Sequence, residues 1–279
     1  MKGFLLTIPV LILVIIFGVI PFAQATQLAF FDAGLRHKEF VGFKNFIHIF
    51  KLDAMKAAFR NTAGYAVVTV PLSTLVALFI ALCAGNMKQA GFVRISFYSP
   101  NLVAAVIMAG VWQWIFSSNG LINGTLRWMG FKNISWFGSM PEAFIMICII
   151  MIMGGLGLSV LIYMAAMSQI QKELYEYARI EGANGLQQAW YISLPILLPI
   201  TSFLLITKTV GSFQTWQTVW LLTQGGPIFG TTTLVYQLYR YVLYEDKLGL
   251  GSAVGMVIMV MIGSLMAVQI IALRKRLKA

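Results

Sequence analysis

Residues 143–167, AFIMICIIMIMGGLGLSVLIYMAAM, decide the fold, because the whole stretch passes without a charged side chain. A helix needs about 20 apolar residues to cross about 30 Å of hydrocarbon, and an unbroken run of this kind lacks the alternation of a barrel strand. The stretch therefore reads as a membrane-spanning helix. Working outward from it, five more such stretches occupy about 5–23, 62–84, 102–116, 195–220 and 253–273. The third is short and is expected to borrow residues from Phe97 onward. The composition agrees: of 279 residues 59% are hydrophobic and only 10% charged, with a mean hydropathy of +0.83. Soluble domains carry about a quarter charged residues, so most of this surface faces lipid. One all-α domain over 1–279 is expected, a polytopic transmembrane helical bundle of about six spans, without internal repeats.

A net charge of +11 would suggest nucleic acid in a soluble protein. Here the basic residues are scattered over loops and form no aromatic-interleaved stripe, so nucleic acid is not expected as a partner. Cys83 and Cys148 fall inside apolar stretches, where a thiol acts as a small hydrophobe, and His37 and His48 have no partner cluster. Neither a disulfide nor a metal site follows. Lys2, the run from Phe4 to Ile20 and Ala23-Gln24-Ala25 imitate a cleavable signal peptide, but the run is long for one and reads as a retained span. An even number of spans puts both termini on one side. Lys and Arg are nearly balanced between the two sides, and the tail cluster Arg274-Lys275-Arg276 with Lys278 argues that the termini are cytoplasmic. Between Phe40 and Phe59, Phe43, Phe46, Ile47 and Phe50 interleave with Lys44, His48 and Lys51, the spacing of a short amphipathic helix at the interface or of a packed loop helix.

The loop 168–195, between spans four and five, is the richest in acidic residues on the expected inner side. Ser168 and Gln171 have the spacing of a capping box, so a helix is expected from there through Ala178. Gly182 interrupts it by taking a left-handed conformation, and a second helix begins within Ala183 to Ile192. Pro195 suits the first turn of the fifth span, where a missing amide hydrogen costs nothing. The expected product is a helix-turn-helix projecting from the membrane.

Glu176-Tyr177-Ala178, Gly182 and Ile192-Ser193-Leu194-Pro195 stand in one register. In this the chain resembles the inner-membrane permease subunits of binding-protein-dependent ABC importers, in particular the carbohydrate-uptake type. Their signature is Glu-Ala-Ala, three residues, Gly, nine residues, then Ile-x-Leu-Pro; Tyr177 is the one departure. Phe40-Val41-Gly42-Phe43-Lys44-Asn45-Phe46, Asn61-Thr62, Gly120-Leu121-Ile122-Asn123 and Thr223-Gln224-Gly225-Gly226-Pro227 with Thr231 extend the resemblance over most of the chain. It implies a permease subunit, not an enzyme, in a bacterial cytoplasmic (inner) membrane. The implied partners are a second homologous permease, an ATPase subunit dimer and an external solute-binding protein. Glu176, Tyr177, Ala178, Gly182, Ile192, Leu194 and Pro195 would form the cytoplasmic element that couples to the ATPase. ATP-Mg would be bound at that partner and no cofactor by this chain. Consistently, no Gly-Lys dipeptide, and hence no Walker A loop, occurs in the sequence.

All nine acidic residues fall in expected loops, whereas Lys208 lies inside the fifth span, thirteen residues beyond Pro195. At about 1.5 Å per residue this is about two-thirds of the way across, where a lysine costs on the order of 3 kcal/mol unless it meets protein or water. Snorkelling to the outer interface and a place beside a transport path are both open. Ser212 and Thr215 follow Lys208 at helical spacing, with Gln214 and Gln217 on a neighbouring strip beside Trp216 and Trp220. Hydroxyls, amides and aromatic rings suit a carbohydrate path, and equally serve as packing glue between helices. Gly154, Gly155, Gly157, Gly251 and Gly255 read as close-approach positions. The same architecture could pass a non-sugar substrate such as glycerol phosphate or a polyamine. An ion-coupled secondary transporter would call for intramembrane acids or broken helices, and the sequence reads as having neither.

Overall fold

In hydrocarbon a backbone amide has no water to bond, so each long apolar run closes its hydrogen bonds along its own axis. The computed structural model describes residues 2–35, 37–84 and 90–277, with the side chains of 7–35, 37–84 and 91–272. Lys88 and Lys278 lie outside the described residues, as do the side chains of Lys2 and of Arg274-Lys275-Arg276. In chain order the helices are α1 (Lys2–Val14), α2 (Ile20–Leu28), α3 (Lys44–Lys51), α4 (Asp53–Ala84), α5 (Ala90–Tyr98), α6 (Ala105–Ile115), α7 (Leu121–Trp128) and α8 (Glu142–Met167). They continue as α9 (Lys172–Ile180), α10 (Gly185–Gln188), α11 (Leu194–Phe213), α12 (Gln217–Leu222), α13 (Leu234–Leu243) and α14 (Leu248–Leu277). One antiparallel hairpin, β1 (Phe31–Ala33) with β2 (Lys38–Phe40), pairs Phe31 with Phe40.

Among the described residues five helical runs are long and apolar enough to cross a membrane: Thr7–Leu28, Asp53–Ala84, Glu142–Met167, Gly185–Phe213 and Leu248–Ala272. A bent pair, Gly91–Leu102 and Ala105–Ile115, is apolar enough to make a sixth when taken together, and its halves meet at 98°. The expectation that the third span crosses as one helix is therefore corrected. Ser99–Leu102 winds as a 3-10 turn with Pro100 at its start, and Val103 (ψ 135°) and Ala104 (ψ 139°) are extended, so the helical ladder cannot continue. The second span begins at Asp53 and not at 62, because the half of the 40–59 segment after Leu52 continues directly into it. Only Lys44–Lys51 stands as a separate amphipathic helix, with Asn45 and Ile49 inward and Phe43, Ile47 and Phe50 outward.

The expected fifth span, 195–220, is likewise corrected at both ends. Helix runs through Pro195, because a π-helical turn, Ala189–Ser193, widens the ladder just before it and the Leu194 amide bonds back to the Ala189 carbonyl. The same device precedes Pro21, where Ile15–Val19 is π-helical. At the other end the helix breaks over Gln214–Trp216, since the Thr215 carbonyl accepts the Thr233 hydroxyl at 2.7 Å and Trp216 leaves helical geometry (φ −140°).

Three apolar clusters lie along the bundle. At one end Ala77, Ala81, Val160, Tyr163, Met164 and Leu197 bring the last turns of α4 and α8 against the first turns of α11. Toward the other end Tyr65, Ile147, Cys148, Val219 and Tyr236 meet. Beside them Ile49, Met55, Ala58, Leu234, Ala253 and Val254 tie α3, α4, α13 and α14 together. Helices α4 and α8 thus run parallel, with α11 antiparallel to both. Gly157 lets α8 touch the bent span directly: a Cβ there would overlap the Phe97 carbonyl. Gly251 and Gly255 face Val242 and Leu238 of α13, whereas Gly154 faces open space.

Candidate functional site

Two regions carry the chemistry, one at the end of the bundle and one inside it. Helix α8 ends at Met167, where the Ser168 hydroxyl donates back to the Ala165 carbonyl at 2.7 Å. Ser168 thereby closes the preceding helix, and the capping box expected from Ser168 and Gln171 does not form; α9 starts at Lys172 with Gln171 as an N-cap that makes no side-chain bond. At the far end of α9, Gly182 has φ +83°. The Ala183 amide bonds to the Ala178 carbonyl at 2.8 Å and the Gly182 amide to the Arg179 carbonyl at 3.0 Å. This pair is a Schellman cap, in which a left-handed residue turns the chain while satisfying the last carbonyls. A capping box does exist one turn later: the Gln187 amide donates to Asn184 Oδ1 at 2.9 Å and the Asn184 amide to Gln187 Oε1 at 2.8 Å. Asn184 and Gln187 carry the spacing that could have announced it.

The turn is braced across its two arms by a 2.9 Å hydrogen bond between the Tyr175 and Ser193 hydroxyls. Glu176, Tyr177, Gly182 and Pro195 are exposed, Ala178, Ile192 and Leu194 half-buried, and Leu194 packs on the cluster of Ala77 and Val160. Ile180, Leu186, Trp190 and Tyr191 also stand in the open. An element with this much exposed apolar surface at a helix bend is shaped to be covered. From Gly185 the chain runs in one continuous helix to Phe213.

That helix leads into a cavity of about 740 Å³ between α4, the bent span, α8, α11 and α12, within the range of small-molecule pockets. Lys208, Ser212 and Thr215 line it. Lys208 does not snorkel: its Nζ donates to Ser73 Oγ at 2.9 Å and to the Gly155 carbonyl at 3.3 Å. Sequence reasoning missed Thr69 and Ser73, the polar face of α4, and Trp112 of α6. The two hydroxyls stand four residues apart in an apolar span and could have been read; Trp112 depends on the bend, which could not.

The other four residues expected on the path lie away from the cavity lining. Gln214 is exposed at the break and Gln217 opens α12. Trp216 stacks on Tyr239 (centroids 4.1 Å apart, 20° between planes), and Trp220 Nε1 donates to the Tyr244 hydroxyl at 3.2 Å. Helical spacing stops at Phe213, so extrapolating it through Trp220 joined residues that the break separates.

Beyond the cavity, two separate sequence motifs meet. Asn61 Nδ2 donates to the carbonyls of Phe229 (2.9 Å) and Thr232 (3.1 Å), and the Leu234 amide donates to the Thr62 hydroxyl at 3.1 Å. They hold the loop that follows Thr223, whose hydroxyl lies 2.7 Å from that of Thr231. Tyr236 donates to the Gln224 carbonyl at 2.9 Å, and burial holds its hydroxyl above the ordinary range, so it remains a donor. Asn123 similarly closes its own loop by donating to the Ser117 and Ile134 carbonyls, 3.0 Å each.

No family model matches the chain. The probable ABC transporter permease protein YesP of Bacillus subtilis (strain 168) is 30% identical over 270 residues, covering 94% of this chain and 87% of that protein. The chain belongs to the ABC transporter permeases. The sulfoquinovosyl glycerol transport system permease protein SmoG of Agrobacterium fabrum is 30% identical over 258 residues, 91% of this permease and 84% of the relative. The sn-glycerol-3-phosphate transport system permease protein UgpA of the same organism is 30% identical over 280 residues, 98% and 94% of the two chains. Among solved structures, a chain of a bacterial ABC transporter involved in the import of alginate superposes with a TM-score of 0.89 at 21% identity, over 98% of this chain and 95% of that one. The fold of this permease is thus the fold of that chain. The resemblance carried by the loop motif holds, and the permease is a multi-pass membrane protein. One ground for setting aside an ion-coupled carrier falls, since a broken helix is present at 91–115; kinship with the ABC permeases takes its place.

Proposed function

We propose that this permease is one of two membrane subunits of an ATP-driven importer and passes a saccharide or related polyol inward. The observation that carries the reading is the unbroken helix Gly185–Phe213, which joins the exposed elbow to the cavity wall. At about 1.5 Å per residue, Lys208 lies about 35 Å along it from Gly185. A partner that moves the elbow moves the wall, and so exchanges the side from which the cavity is open. The elbow supplies the lever and has no phosphate-binding loop, so ATP-Mg is assigned to a separate ATPase pair that grips α9 around Glu176. The orientation follows: elbow and both termini in the cytoplasm of a bacterial inner membrane, and a solute-binding protein delivering cargo at the opposite face.

The saccharide class rests on the cavity, where hydroxyls of Thr69, Ser73 and Ser212 lie with the Trp112 ring, donors and acceptors beside an apolar plate. It rests also on relatives named for the transport of arabinooligosaccharides, of trehalose and maltose, and of lactose. A polyamine is the poorer cargo, because among the described residues no acidic side chain lines the cavity and a lysine does. Glycerol phosphate is a second reading, favoured by that lysine.

ATP-driven uptake by vesicles carrying the assembled transporter tests the proposal. Glu176→Ala and Gly182→Pro are each expected to cut uptake at least tenfold at equal membrane expression. Undiminished uptake in both would sink the coupling role, and gradient-driven transport by the purified chain alone would replace it with a carrier.

A further inference from the structure

We infer that Lys208 reads a negative charge on the cargo: the saccharide admitted here carries a carboxylate, sulfonate or phosphate ester. The inference rests on the saccharide reading above and deepens it. Among the described residues Lys208 is the one ionisable side chain lining the cavity. Its two partners, the Ser73 hydroxyl and the Gly155 carbonyl, are neutral. An ammonium has three N–H donors, so among the described residues one donor and the charge are left without an answering group. The ion pairs among the described residues lie elsewhere, in the segments 32–56 and 240–247.

A tether between α4, α8 and α11 would not need this residue. A neutral donor could brace these helices without the cost of carrying a charge into a span. What lysine alone adds is a full charge at a half-buried position, where an ion pair is stronger than in bulk. The charge is also fixed in place. The Gly155 carbonyl of α8 and the Ser73 hydroxyl of α4 hold Nζ between two packed helices. A neutral sugar gains one hydrogen bond from such a group. An acidic sugar gains a charge-assisted contact at a defined point, and a cationic solute is repelled.

Binding to the assembled transporter in nanodiscs, without the binding protein and its own selectivity, tests this with three probes: digalacturonate, its neutral dimethyl ester, and glycerol 3-phosphate. Wild type and Lys208→Arg are expected to bind digalacturonate at least tenfold tighter than the ester. Lys208→Gln, which removes the charge, is expected to lose that preference, with digalacturonate bound no tighter than the ester. Equal binding of acid and ester by wild type, or a preference that survives Lys208→Gln, overturns the inference and leaves the saccharide reading intact. Binding of glycerol 3-phosphate alone, abolished by Lys208→Gln, supports the reading of charge and overturns the saccharide. Binding of none of the three removes the cargo site from Lys208.

Discussion

Gly182 sits at φ +83°, a conformation that costs a residue with a Cβ about 1–2 kcal/mol. Two backbone bonds from Ala183 and Gly182 depend on it. Gly182→Ala is therefore expected to loosen the elbow by about 1–2 kcal/mol, read as faster amide exchange at 182–183, with exchange in α4 unchanged; Gly182→Asn, which tolerates the left-handed region, should be milder. Uniform acceleration throughout the bundle would show that the glycine matters globally and not at the turn. Asn61 presents the opposite case, a buried amide whose two bonds reach a loop about 170 positions away. At about 1 kcal/mol for each bond, plus a share for carbonyls left unpaired, Asn61→Ala should lower stability by about 2–4 kcal/mol. Thermal unfolding in detergent checks it, and a change under about 0.5 kcal/mol would mean that the loop holds without its clamp.

At the scale of the element, the π-turn Ala189–Ser193 takes up one extra residue between the elbow and the cavity wall. Deleting Leu198, from the regular helix beyond it, turns α10 by about 100° relative to Lys208. The expected result is ATPase activity that persists in the assembled transporter while uptake falls at least tenfold; uptake and hydrolysis that fall together would point to lost assembly instead. Element existence was legible in the chain because apolar length is a local property, and the run 143–167 emerges as Glu142–Met167. The breaks were not, because distant groups impose them. The Thr233 hydroxyl captures the Thr215 carbonyl, and Gln113 Nε2 bonds the Leu221 carbonyl at 2.8 Å across the same corner. Lys208 was conspicuous as a charge in an apolar run, yet Ser73 as its partner was invisible until α4 and α11 were placed side by side. Ser168 misled for a related reason: a serine between two helices can cap either, and the bond it makes here closes the first.

Across the whole molecule, burial is uneven. A third of the residues in the apolar stretches of α4 and α8 are buried, whereas none of those in the apolar stretch of Thr7–Leu28 is. Among the described residues that first helix meets the rest chiefly where α2 touches α14 and β1, and at Ala29, which joins the cluster of Ile49 and Met55. In the isolated chain its side chains lose nothing when trimmed, because lipid or detergent tails are as apolar as their neighbours. Val10→Ala, Phe17→Ala and Phe22→Ala combined should therefore shift unfolding of the purified chain by less than about 1 kcal/mol, in line with exposed positions generally. Leu197→Ala, at 1% exposure where α4, α8 and α11 meet, should cost about 2–5 kcal/mol, the loss of a packed side chain plus the cavity left behind. The assembled importer reverses the comparison if the second permease covers the first helix. The triple variant would then lower the yield of intact complex, while Leu197→Ala would lower the melting temperature of chain and complex alike. A triple variant that unfolds as readily as Leu197→Ala in the chain alone would place the first helix within the packed bundle and not at its rim.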